Sequence, residues 1–246
     1  MQDAISIAIQ SMHSDMSRVV ATGGNLANLT TAGYKRSVST TQSFTDYLSV
    51  AGYGGGMKLP FPVLLPAVTQ TTDHKAGDMK FTGNPMDLAI SGQGYFEVST
   101  PTGPAYTRKG SFRLDERGRL VNDQGYALMG QGGELLIGTA QPAIDGSGQI
   151  TDDAGKVVGQ VKTTQFSDAQ SMVKIDAGLY QAGTAQPVPT DGDSRVLQGY
   201  LENSNVDSTA EMVTLIETMR HFQAMQQVVQ GYGDALERAI QKLGEV

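Results

Sequence analysis

Cysteine is missing from this chain. That excludes disulfide staples, thiolate metal sites and a cysteine nucleophile, and it suits passage into an oxidising compartment, where no thiol can mispair. Tryptophan is missing too, and charge is sparse at 17% of 246 residues. Positive charge is the scarcer sign, with 18 Lys and Arg against 25 Asp and Glu and a net charge of -7. That balance disfavours nucleic acid or an anionic membrane surface as a partner. No apolar run approaches the roughly 20 residues needed to cross a bilayer, so direct membrane insertion is not expected. The opening Met1–Ile5 has no basic region and no apolar stretch, so no Sec-type signal is expected.

Parts for catalysis are also lacking. His13, His74 and His221 are isolated and form no pair with metal-ligand spacing. Gly92-Gln93-Gly94 opens like a dinucleotide loop, but Glu97 stands where the third glycine belongs. The glycine-rich stretch from Gly52 to Lys58 is broken by Met57 and is not a phosphate loop. Asp115, Glu116, Asp123, Asp152 and Asp153 lie at turn signals, where turn chemistry accounts for them. The expectation is therefore no enzyme, no cofactor, no metal and no small-molecule ligand.

What the chain does have is a matched pair of ends. Ile5, Ile9, Met12, Met16, Val19, Gly23 and Leu26 step by four and three. Met212, Leu215, Met219, Phe222, Gln226, Val229, Gly233, Leu236, Ile240 and Leu243 repeat that alternation. Such a narrow stripe calls for another helix against it rather than a broad core. Eleven methionines add thioether side chains suited to irregular contacts. Asn25 and Asn28 sit where the first helix ends, placed to cap backbone groups or to bond a neighbouring chain. Gly33 reads as a left-handed stop. Ser208 and Glu211 read as a capping box opening the last helix.

The middle has a different grain. Thirty glycines, well above the average share, imply many tight turns. Short apolar runs recur with turn signals between them, as in Asp87–Ile90, Tyr95–Val98, Ser111–Leu114, Tyr126–Met129 and Val173–Ile175, which suits an antiparallel sheet or barrel. Val196–Glu202 reads as one further strand. The predicted organisation is an N-terminal helix in 1–36, an extended connector in 37–79 and a β domain in 80–183. A second connector in 184–199 and a strand and helix in 200–246 complete it. The connector 37–79 is anchored by Phe44, Tyr47, Leu48, Leu64 and Leu65. The fold class is α+β: long terminal coiled-coil helices packed together, with an inserted, mostly antiparallel β domain.

Two stretches carry a resemblance. The first includes Asn25-Leu26-Ala27-Asn28, then Thr31, Gly33, Tyr34, Lys35 and Arg36. The second is Glu202, Ser204, Asn205 and Val206, running into Glu211 and Arg220-His221-Phe222-Gln223. Together they resemble the flagellar rod and hook proteins of bacteria. Asn84–Phe96 and Tyr106–Phe112 look like that family's β domain, so the likeness runs in order along almost the whole chain. The length leaves no room for the extra outer domain of a hook protein, and the opening residues resemble the proximal-rod type more than the distal-rod type. The resemblance implies a structural, periplasm-spanning rod subunit that polymerises helically and transmits torque from motor to hook. It implies copies of itself, other rod proteins and the flagellar type III export apparatus as partners, with no cleaved signal. Ile5, Ile9, Met12, Met16, Val19, Leu26, Met212, Leu215, Met219, Phe222, Val229, Leu236, Ile240 and Leu243 would then pack between subunits. Lys35 and Arg36 read as partners for acidic residues of another subunit or as a solvated basic end. A coiled-coil adhesin or assembly cap is the alternative from another class; it shares the terminal helices but needs neither motif.

Overall fold

A computed structural model of the chain describes residues 2–42, 67–138, 142–152, 154–176, 178–188 and 194–244. The connector anchors Phe44, Tyr47, Leu48, Leu64 and Leu65 lie outside these residues. So do the Gly52–Lys58 stretch, Asp153, and the side chains of Leu236, Ile240 and Leu243. The structure is α+β, with two long helices and a large antiparallel sheet. It divides into two units, each described by itself.

The first unit comprises the helices α1 (Gln2–Ala27) and α2 (Ser208–Gly244) and a strand pair, β1 (Ser37–Gln42) with β2 (Ala67–Thr72). At 1.5 Å per residue the helices span roughly 39 and 56 Å. They pack against each other, and β1 packs on α1. The start of α2 differs from the expected capping box. Asp207 is the cap, its Oδ1 accepting from the amides of Thr209 at 2.9 Å and Ala210 at 3.2 Å. A carboxylate satisfies two orphan donors there and suits the positive end of the helix dipole. Glu211 is thereby released from capping and is buried elsewhere.

The second unit holds residues 28–36 and 73–206. Its strands begin with β3 (Met79–Phe81), β4 (Leu88–Ser91), β5 (Tyr95–Thr100) and β6 (Gly103–Thr107). β5 and β6 form the hairpin at the middle of the main sheet. Leu179–Gln181 and then Val173–Asp176 extend the sheet beyond β6; Ala127–Gly130, Leu120–Val121 and Arg113–Leu114 extend it beyond β5. The expected single strand Val196–Glu202 is two strands. Arg195–Gln198 pairs with β4, the chain breaks at Gly199, and Tyr200–Glu202 pairs with β3. A bend at glycine lets one short run edge two different strands. The acidic turn residues do what turn chemistry requires. Asp115, Asp145 and Asp152 each use Oδ1 to accept backbone amides two and four residues on.

The core of this unit gathers Leu88, Ile90, Phe96, Val98, Leu120, Leu128 and Ile150, all essentially inaccessible. Each such side chain contributes about 1.5–3 kcal/mol on burial. Phe96 meets Phe112 edge-on, with ring centroids 5.6 Å apart. Gly110 lies against β4 so closely that a Cβ there would sit 1.5 Å from the Leu88 carbonyl oxygen. Gly110→Ala is therefore expected to destabilise the β unit by about 2–4 kcal/mol, since the obstruction is backbone and cannot rotate away. Thermal unfolding followed by circular dichroism checks this; an unchanged midpoint would contradict it.

Candidate functional site

The helix stripe comes out in two halves. Ile5, Met12, Val19 and Leu26, one heptad apart, are half-buried, as are Leu215, Phe222 and Val229. Ile9, Met16, Met212 and Met219, the alternate positions, remain 52 to 56% exposed. Val20 and Ile216 are open beside them, and Ile7 and Val213 are exposed elsewhere on the helices. A groove of about 280 Å³ runs between Met16 and Val19 on one side and Met219, Phe222, Gln223 and Gln226 on the other. On α1, Ile9, Met16 and Val20 share one exposed apolar strip, and on α2 Met212, Ile216 and Met219 do.

Asn25 ties this unit together. Its Oδ1 accepts from the Ser37 amide and its Nδ2 donates to the Ser37 carbonyl, both at 2.8 Å. The carboxamide thus acts as a strand partner for the start of β1. Nδ2 also meets Oε2 of Glu211 at 3.2 Å, and both residues are 1% exposed. Asn25 bonds at long range within the chain. Asn28 makes the local contact, its Oδ1 accepting from the Thr31 hydroxyl at 3.2 Å.

In the β unit the two motifs converge on Glu202. Its Oε1 takes the Lys35 ammonium at 2.5 Å and the Gly77 amide at 2.9 Å, and its Oε2 takes Arg108 at 3.1 Å. Lys35 and Glu202 are fully buried, and Arg108 is nearly so. Lys35 also donates to the Lys75 carbonyl at 2.6 Å, and Arg108 to the carbonyls of Ile90 and Gly92. Burial pushes Lys35 below its ordinary pKa, and Glu202 pulls it back. The expectation of Lys35 as an intersubunit partner or a solvated cation is thus overturned: the ammonium is spent inside its own chain. Charge sparseness explains why this was not legible, since a lysine beside an arginine at a helix end looks like any solvated basic pair.

The neighbouring motif residues hold this arrangement in place. Gly33 has φ of 67° and donates to the Glu202 carbonyl at 2.7 Å; a Cβ there would lie 2.3 Å from the Arg108 carbonyl carbon. Only glycine fits both the conformation and the approach. Asn205 accepts from the Arg36 amide at 2.7 Å and donates to the carbonyls of Asp73 and Lys75. Ser204 Oγ accepts from the Val206 amide, and Val206 is buried. Tyr34 is buried, with the Lys174 ammonium 4.3 Å from its ring centre.

His74 shares a 2.7 Å hydrogen bond with the Tyr95 hydroxyl and stands edge-on to Tyr180. Burial first, then the Lys35 charge, push its pKa down to about 4. Burial also raises Tyr95 to about 12 and lifts Tyr180. Asp15, Arg108 and His74 are positions that sequence reasoning did not assign a role. Arg108 stood inside a quoted motif; the other two had no local signal. Among the described residues no cluster of His, Asp or Glu could hold a metal ion.

Fold and sites define a class of protein whose two ends are tied into one helical unit and whose sequence motifs meet in buried polar contacts of the β unit. Comparison with known proteins narrows this. Residues 89–181 match the flagellar hook protein FlgE/F/G D1 domain, and residues 197–242 match the flagellar basal body rod FlgEFG protein C-terminal region. The flagellar basal-body rod protein FlgG of Bacillus subtilis is 32% identical, over 94% of this chain and 96% of its own length. The rod proteins FlgF of Mesorhizobium japonicum and of Escherichia coli are 30% and 29% identical, each over 99% of both chains. The chain belongs to the flagellar basal-body rod protein family, of the FlgF/FlgG type.

Two outcomes follow for the buried network. Glu202→Gln leaves two buried cations facing a neutral amide and should cost about 3–5 kcal/mol in urea unfolding; a loss under about 1 kcal/mol would show that the pairing contributes little. For His74 the folded pKa lies below the ordinary 6.5, so the unfolded chain binds more protons between about pH 4 and 6.5. Stability should therefore fall as pH drops through that window. The fall should be shallower in His74→Gln; identical slopes would remove His74 from the account.

Proposed function

We propose that this chain is a structural rod subunit of the bacterial flagellar basal body, of the proximal FlgF type, polymerising through the exposed half of its helix stripe. The observation that carries this is the division of the stripe. Within one chain α1 and α2 cover one heptad series and leave Ile9, Met16, Met212 and Met219 open. Neighbouring subunits supply the missing helical surface, in coiled-coil fashion. Methionine suits a shaft in which neighbours are similar but not identical. End-to-end coverage by FlgF relatives favours the proximal type, although a FlgG relative is slightly more identical.

In this reading the partners are copies of the chain, other rod and hook proteins, and the flagellar type III export apparatus. The fourteen stripe residues are the packing set, and the motif residues shape the subunit. The place of work is the rod that spans the periplasm, and the task is to carry torque without catalysis or cofactor. Cumulative apolar contact supplies the binding, at about 25 cal/mol per Å² of apolar surface covered.

Met219→Lys tests this. The side chain is half-exposed in the single chain, so the purified variant should keep wild-type helicity and melting. In cells it should abolish swimming and leave no rod beyond its own position. Normal motility would defeat the assignment of the open half-stripe to subunit packing.

A further inference from the structure

We infer that the pairing of buried Asp15 with the half-exposed His221, together with Asn25–Glu211, sets the register in which α1 packs on α2. Asp15 is 3% exposed, and its Oδ2 lies 2.6 Å from His221 Nδ1. Among the described residues His221 is its sole hydrogen-bonding or ionic partner. Asp15 lies ten residues before Asn25, and His221 lies ten residues after Glu211. The two bonds therefore belong to one antiparallel register, and each confirms the alignment that the other requires.

The apolar residues cannot select that register. Ile5, Met12, Val19 and Leu26 recur every seven residues, as do Leu215, Phe222 and Val229. A slip of one heptad again lays apolar on apolar, and methionine adapts to the new neighbours. The same slip would set Asp15 against Thr214 or Val228, neither charged. A buried carboxylate without its partner is heavily penalised. One polar position in an apolar helix seam is a known way to fix alignment at some cost in stability. The device matters for a subunit with two stripes, one satisfied within the chain and one left open, because a slipped pair would present a displaced open stripe. The register itself does not depend on the rod reading, and the test below addresses it in the free chain.

The absence of native cysteine makes the test direct. Val19 and Phe222 line one groove, so Val19→Cys with Phe222→Cys reports the native register. Val19→Cys with Leu215→Cys or with Val229→Cys reports slips of one heptad. Disulfide formation is measured in the dilute full-length chain. The expected result is crosslinking of the 19–222 pair alone in the parent. In an Asp15→Leu, His221→Leu background, with Asn25–Glu211 still in place, crosslinking should spread in part to the slipped pairs, with the melting temperature no lower than the parent's. A purely structural role would instead lower the melting temperature and leave the 19–222 preference intact, which would overturn the inference. Equal crosslinking of all three pairs in the parent would overturn it as well. Should the leucine variant lose its helicity, the exchange of Asp15→His with His221→Asp decides: retained 19–222 preference supports the lock, and spread to the slipped pairs refutes it.

Discussion

A single carboxylate, Glu202, stands between two cations, buried from bulk solvent. Lys35 arrives from the segment after α1, Arg108 from the end of β6, and Glu202 itself from the strand that edges β3. Removing three charges from water is costly, and the cost is offset by the two ion pairs and by the backbone carbonyls of Lys75, Ile90 and Gly92, which accept further donors of Lys35 and Arg108. Gly33 must have no side chain for the Lys35 segment to lie against Arg108. Asn205 must face the Arg36 amide for the C-terminal motif to keep its course. Of the residues that carry the resemblance, Lys35 and Glu202 form the buried ionic arrangement and Gly33 and Asn205 support it, while Asn25 ties the helical unit. None of them points to a reaction.

The helical unit obeys a different constraint. Two helices offer two apolar stripes, and a single antiparallel pairing covers only part of each. What is left open is aliphatic and thioether surface that water disfavours. α2 is also the longer helix, with 37 residues against 26 in α1. In the proposed rod, neighbouring subunits cover that open surface. The polar pairs Asn25–Glu211 and Asp15–His221 give that arrangement a defined alignment that methionine and leucine alone would leave loose.

Much of this was legible in the residues. The four-and-three spacing located both helices, although the first ends at Ala27, short of the expected 1–36 segment. Alternation and turn signals located most strands around β4 to β6, because a two-residue period and a D-x-x-G turn are local properties. Failures came where a distant group decides. The Asp207 cap displaced the Ser208–Glu211 box because Glu211 is bound to Asn25, across most of the sequence. Lys35 looked solvated because its partner lies at 202. Gly199 split one expected strand into two because its flanks pair with different strands. Thr163–Phe166 and Leu179–Gln181, with polar or mixed residues, owe their strand form to the sheet they join. His74 and Asp15 gave no sequence signal, since burial is what makes either unusual.

Whether this chain sits in the rod is read by quantitative mass spectrometry of purified basal bodies from the source bacterium, after removal of hook and filament. The account predicts the chain at a fixed ratio to the other rod proteins, in the low copy number of a proximal segment. Absence from those particles, with the protein abundant elsewhere in the envelope, would contradict it.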